Sequence, residues 1–171
     1  MIELVLGGAR SGKSRYAEQQ VVNTPGRRIY IATATAGDGE MTERIALHRR
    51  QRADNHWLTV EEPIELAQVL EQQCRPDTVV LVDCLTLWLS NCLFSENADW
   101  QQQKKRLLQL LSTLPGTVIF VSNEVGQGIV PLGEINRRFV DESGWLHQAV
   151  AELADRVTFV TAGIPQSLKG T

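Results

Sequence analysis

Eight residues near the amino terminus, Gly7-Gly8-Ala9-Arg10-Ser11-Gly12-Lys13-Ser14, restrict this chain more than any other stretch. They fit the pattern Gly-x-x-x-x-Gly-Lys-Ser/Thr, directly after an apolar strand-like run and directly before a segment of helical spacing. Gly7 and Gly12 allow backbone angles and close approaches that a Cβ would block, so successive N–H groups can point into one anion-sized nest. The N-terminus of the next helix adds partial positive charge, Lys13 reaches the β- and γ-phosphates, and the Ser14 hydroxyl suits Mg2+. The loop therefore implies ATP or GTP, held by its phosphates for phosphoryl or nucleotidyl transfer.

Five short apolar, β-rich runs surround and follow it: Ile2–Leu6, Arg28–Thr33, Thr78–Asp83, Thr117–Ser122 and Arg156–Thr161. Longer segments of helical spacing separate them, at about 13–22, 40–53, 63–73, 84–93, 99–113 and 133–154. That alternation predicts an α/β fold, and runs such as Val79-Val80-Leu81-Val82 suit strands of a mainly parallel sheet with helices on both faces. Pro63 suits a first helical turn, and Thr113 to Gly116 stops a helix before the next strand. Gly163 to Thr171 has no pattern and reads as an extended or loose tail. At 171 residues without a visible linker, the expectation is one domain.

Composition serves mainly to exclude. A net charge of −3 opposes binding to a polyanion, and Arg44 to Arg52 is the only Arg-rich stretch, so no nucleic-acid partner is expected. Cys74, Cys84 and Cys92 are odd in number and form no Cys-x-x-Cys, which reads as reduced thiols instead of a disulfide framework or a zinc site. The start of the chain has no leader pattern, and no apolar run approaches the roughly 18 residues that span a bilayer. A cytoplasmic protein without a membrane span is the expectation.

Three further places carry chemistry. Asp83 closes a strand, where a carboxylate beside the phosphate loop positions Mg2+; Asp is equally favoured there as the N-cap of the next helix. Helical spacing puts Arg44, His48 and Arg52 on one stripe, with Arg49 and Arg50 adjoining. Neighbouring guanidinium groups disfavour a charged imidazole and attract phosphate, which suits a nitrogen nucleophile; the alternative is a solvated basic face. His56 and His147 read as structural or simply exposed. Ser122 to Pro131 follows the fourth run with two glycines, a carboxylate and a carboxamide, either bordering a ligand crevice or plainly connecting strand to helix.

Taken together, the loop 7–14, Tyr30-Ile31-Ala32-Thr33, Glu40-Met41 with Arg44-Ile45 and His48, His56-Trp57 with Glu61, and Asn123 to Pro131 give a resemblance over essentially the whole chain. The chain resembles the bifunctional adenosylcobinamide kinase/adenosylcobinamide-phosphate guanylyltransferases of cobalamin biosynthesis. That resemblance implies two steps on the aminopropanol arm of a corrinoid. Its hydroxyl is phosphorylated from ATP or GTP, then GMP is transferred from GTP onto the new phosphate to give adenosyl-GDP-cobinamide and pyrophosphate. It also implies a guanylylated histidine at His48, and nucleotide contacts at Gly7, Gly8, Ala9, Arg10, Ser11, Gly12, Lys13 and Ser14. Further implied contacts fall at Ala32, Thr33, Ala34, Arg49, Arg50, Gln51, Arg52, Glu61 and Asp83, the last found as Glu in relatives. A RecA-like P-loop fold and a homotrimer are likewise implied by the resemblance alone.

Two other readings compete. A monofunctional P-loop kinase needs only Lys13, Ser14 and Asp83. A nucleotide-dependent switch is disfavoured because no Asn-Lys-x-Asp occurs and Asp141 to Gly144 sits inside a helical stretch. The sequence leaves Glu61, Asp83 and Glu124 unranked as acceptors of the hydroxyl proton.

Overall fold

All five apolar runs are strands in the computed structural model, which describes residues 1–34 and 56–170. The elements run β1 (Ile2–Gly7), α1 (Lys13–Asn23), β2 (Arg27–Ala32), β3 (Leu58–Glu61), α2 (Leu66–Gln73), β4 (Thr78–Asp83), α3 (Leu85–Phe94), α4 (Trp100–Leu111), β5 (Thr117–Asn123), α5 (Glu134–Leu153), β6 (Arg156–Thr161) and β7 (Ile164–Lys169). The helix expected at 40–53 lies outside the described residues.

The strands form one sheet in the order β3-β2-β4-β5-β1-β6-β7, parallel except for β7. Alternation within each strand divides the core between two faces. Val80, Val82, Val118 and Phe120 join Leu70, Trp88, Leu107 and Val150, so α2, α3, α4 and α5 cover one face. Val79, Leu81, Ile119 and Val121 join Ala17 and Val21, so α1 covers the other. Trp88 is fully buried; its Nε1 donates to Ile64 O at 2.8 Å and its ring meets Trp100 edge-on at 5.3 Å. That contact closes the chain between β3 and α2 onto the core.

Two strands escaped the sequence reading, and the reasons differ. β3 has only four residues, with an exposed, intermediate, intermediate, exposed pattern, too short for a period to register. The tail expected to be loose is an edge strand: all six residues of β7 are exposed, pairing with β6 orders them, and Lys169 Nζ donates to Ala151 O and Glu152 O at 2.9 Å. Pro165 is tolerated there because an edge strand has no outer partner for its missing N–H. The helix expected from Pro63 begins instead at Leu66, after the Glu62 carboxylate has accepted the N–H groups of Ile64 and Glu65 at 2.9 and 2.8 Å.

Because the strands are parallel, the ends of β1, β2, β3, β4 and β5 open on one edge of the sheet. Gly7 pairs with Asn123 and Asp83 pairs with Val121, so β5 stands between the loop strand and the strand of Asp83. Asp83 thus ends its strand at the same edge of the sheet as the loop, with one strand between them.

Candidate active site at the phosphate loop

The loop is built from both ends. Gly7 ends β1 so tightly that a Cβ would lie 2.5 Å from Ser11 Oγ and 2.6 Å from the Val160 carbonyl oxygen. Gly12 caps α1 in the left-handed region at φ 94°, and Tyr16 N donates to its carbonyl at 3.0 Å as the helix starts. A Cβ on Gly12 would also sit 3.1 Å from Gly163 Cα, in the β6–β7 turn, whose N–H donates to Ser11 O at 2.7 Å. The sequence pass gave no sign that the carboxyl-terminal hairpin supports the loop. Gly12→Ala combines left-handed strain, of order 1–3 kcal/mol, with a backbone contact that cannot yield easily. The expected result is a lower midpoint in denaturant melts and nucleotide affinity weaker by about tenfold, equivalent to about 1.4 kcal/mol, in a binding titration.

Lys13 is buried, and its Nζ donates back to Gly8 O at 3.0 Å, curling the ammonium over the loop. Ser11 Oγ is buried without a hydrogen-bond partner. Ser14 is the second residue of α1 and half-buried, while Ala9 and Arg10 are exposed at the loop tip. The loop's backbone nest and a helix N-terminus thus converge with one cation, an arrangement made for phosphate oxygens.

Across the sheet, Glu61, Ala32, Asp83, Val121 and Val5 form one register row. Asp83 is half-buried and accepts from Tyr30 Oη at 3.1 Å. Asp83 and the loop cation act on a common neighbour, Cys84. The buried Cys84 thiol is pushed up to about 11, first by desolvation and next by the Asp83 charge, while Lys13 acts on it in the opposite direction. Cys74 and Cys92 are likewise buried and free, raised by desolvation to about 11 and about 12, so none of the three is a ready nucleophile.

Thr33 is fully buried: its Oγ1 donates to Cys84 O at 2.7 Å and accepts from Cys84 N at 2.8 Å. Its hydroxyl is a strut between the ends of β2 and β4, and its N–H donates to Asp83 O at 3.1 Å. Ala32 is buried and Ala34 half-buried beside it. Glu61 is exposed at the end of β3, four strand spacings or roughly 19 Å from β1. It stands on the edge strand, with β2, β4 and β5 between it and the loop strand. His48, Arg49, Arg50, Gln51 and Arg52 lie outside the described residues.

The segment after Ser122 was marked by the sequence, but its link to Thr86 and His147 was not. Ser122 Oγ lies 2.9 Å from Thr86 Oγ1 and 2.7 Å from His147 Nε2, and His147 Nδ1 lies 3.8 Å from Glu124 Oε2. Ser122 and His147 are buried, and the network touches the loop directly, because Glu124 N donates to Gly7 O at 3.0 Å. A signal existed: Phe139, Ser143, Leu146 and Val150 mark the inward stripe of α5, and His147 adjoins it. Desolvation first of all holds the His147 pKa below 6.5, with the Glu124 charge opposing. Below pH 6.5 the unfolded chain therefore binds a proton that the folded chain resists, and stability falls as the pH drops. His147→Gln is expected to flatten that fall, measured as the difference in melting temperature between pH 7.5 and pH 5.5.

Comparison with known proteins agrees over the full length. The family described as cobinamide kinase / cobinamide phosphate guanyltransferase matches residues 3–168. The bifunctional adenosylcobalamin biosynthesis protein CobP of Pseudomonas aeruginosa is 54% identical over 171 residues, covering 99% of this chain and 98% of that protein. The corresponding CobU protein of Escherichia coli is 37% identical over 183 residues, covering 99% and 100%. Among solved structures, the RadB recombinase superposes with a TM-score of 0.54 at 16% identity, over 92% of this chain and 73% of that one, which places the sheet among P-loop, RecA-like folds.

Proposed function

This chain belongs to the cobinamide kinase / cobinamide phosphate guanyltransferase family, and from that premise we propose that the Gly7–Ser14 cradle serves both of its reactions in turn. The enzyme is a bifunctional kinase and guanylyltransferase of cobalamin biosynthesis. The observation that carries the proposal is the loop itself: buried Lys13 over a nest in which Gly7 has no room for a side chain and Gly12 holds a left-handed turn.

In the first reaction the aminopropanol hydroxyl of adenosylcobinamide attacks the γ-phosphorus and the nucleoside diphosphate leaves. The loop N–H groups and Lys13 stabilise the charge that spreads over the phosphoryl oxygens and the leaving group. In the second, GTP occupies the cradle. A nitrogen of His48 forms a bond to the α-phosphorus, the bond to pyrophosphate breaks, and pyrophosphate departs. The phosphate of the corrinoid then attacks the same phosphorus, the P–N bond breaks, and adenosyl-GDP-cobinamide is released with His48 restored. A covalent intermediate divides one difficult displacement into two.

The donor set fits Mg2+, a hard cation that takes one or two protein oxygens together with phosphate oxygens. The Ser14 hydroxyl and the Asp83 carboxylate would hold it, and when bound it neutralises charge on the phosphates. Arg49, Arg50, Gln51 and Arg52 are assigned to the nucleotide near His48, and Glu61, at the far end of the crevice, to the part of the nucleotide or corrinoid remote from the phosphates. Ile129, Val130, Leu132 and Ile135 are exposed on the segment that leaves β5, which suits cover by the corrinoid or a neighbouring subunit of the homotrimer implied by family resemblance. No helix among the described residues is long and apolar enough to cross a membrane, and the cytoplasm is the compartment proposed.

The test is incubation of the intact protein with GTP labelled at the α-phosphorus. A stable adduct should form, labile to acid and resistant to alkali as a phosphoramidate is; label found only in free nucleotide would leave no covalent step.

A further inference from the structure

Among the described residues, the reaction outlined above makes no use of the buried histidine nearest the phosphate loop. We propose that His147 is a positioning residue for phosphoryl transfer: through Ser122 and Thr86 on one side and Glu124 on the other, it fixes the tip of β5 against the first glycine of the cradle. The proposal rests on the reading that this cradle carries the kinase step.

Hydrogen-bond direction along the network is set from its carboxylate end, because Glu124 can only accept. The neutral imidazole places its proton on Nδ1, facing Glu124 Oε2 at 3.8 Å, and Nε2 is left to accept from Ser122 Oγ at 2.7 Å. Ser122 Oγ then accepts from Thr86 Oγ1 at 2.9 Å, and Thr86 Oγ1 accepts Asn123 N–H at 2.6 Å. The other Glu124 oxygen accepts Gly126 N–H at 2.6 Å, and its own N–H is bound to Gly7 O. One imidazole thus orients both residues that follow Ser122 and, through Glu124, bears on the residue where the loop begins. A second proton would make Nε2 a donor. Ser122 would then turn its hydrogen toward Thr86 Oγ1, and the Thr86 hydrogen would have to leave Ser122 for another acceptor.

Glu124 is the charged group that acts on this imidazole. α3 carries no charged residue, and on α4 Lys104 is turned to Glu142, which also receives Trp100 Nε1 and Gln101 Nε2. Glu3 of β1 lies with Tyr16 and Thr158 near the opposite face of the sheet, and Arg156 begins β6 at the sheet's other end. On α5 itself Asp141 and Glu152 are exposed. Loss of Glu124's partner and loss of its charge are therefore separable.

The experiment uses the full-length protein and adenosylcobinamide as acceptor, following phosphorylation from pH 5 to pH 9. His147→Gln keeps an acceptor for Ser122 but has no Nδ1 proton and no titration. At pH 8 it should lower kcat by roughly tenfold while leaving the KM for nucleotide near the wild-type value, a misplacement effect of the kind that small shifts produce. The acid-side fall in kcat expected of wild type should flatten in the variant. Ser122→Ala, which retains the imidazole, should lower kcat similarly, and in a Glu124→Gln background His147→Gln should add little. If His147→Gln does not fold, Ser122→Ala alone decides the matter through its kcat and its pH profile. A pH profile for these variants that runs parallel to wild type, with only a lowered melting temperature, would reduce His147 to a structural group. A wild-type kinase rate indifferent to Lys13 would instead overturn the shared cradle.

Discussion

Lys13→Ala is expected to abolish nucleotide-dependent turnover in phosphorylation and in GMP transfer alike. The ammonium is buried over the loop, held by Gly8 O at 3.0 Å, and Lys13 is the loop's buried cation. Loss of one preorganised electrostatic group costs on the order of 3 kcal/mol of transition-state stabilisation, about a hundredfold in rate, and loss of the cation that also grips the ground-state phosphates exceeds that. Folding should survive, because Ala keeps the helix start and Gly12 keeps the loop; an unchanged melting curve checks this. Near wild-type rates in either half-reaction would place a second nucleotide site elsewhere on the chain.

His48→Ala separates the two activities that Lys13→Ala removes together. The variant should still phosphorylate adenosylcobinamide, since that step needs the cradle and an acceptor hydroxyl and no nitrogen nucleophile. It should form no labelled adduct with α-labelled GTP and release no pyrophosphate in a coupled assay. An adduct persisting on His48→Ala would move the covalent attachment to another residue. Parallel loss of the kinase step would make His48 part of the phosphate site that both reactions share. Lys13→Ala and His48→Ala together therefore distinguish one cradle with an added nucleophile from a plain P-loop kinase.

The phosphate loop was legible because everything it requires is contiguous: a buried strand, glycines at fixed offsets, Lys13, Ser14 and a helix, all within the first 23 residues. Asp83 was legible as a strand end for the same reason. Its distance from the loop strand was not, since the insertion of β5 between β1 and β4 is a fact about sheet order, which local pattern does not encode. His147 looked incidental because its meaning depends on Ser122 and Thr86, 25 and 61 positions away.

By itself the sequence determined the α/β alternation, the anion nest and the family, because short-range periodicity, turn chemistry and motif spacing are written in neighbouring residues. Only the tertiary structure decided that β7 is a strand, that the Gly163 turn braces Ser11, and that Thr33 serves as a strut to Cys84. Only it joined Ser122, Glu124 and His147 into one network at the loop. The physical reason is common to all of these: each is a hydrogen bond or close approach between segments far apart in the chain, and its partner is chosen by how the sheet stacks its strands.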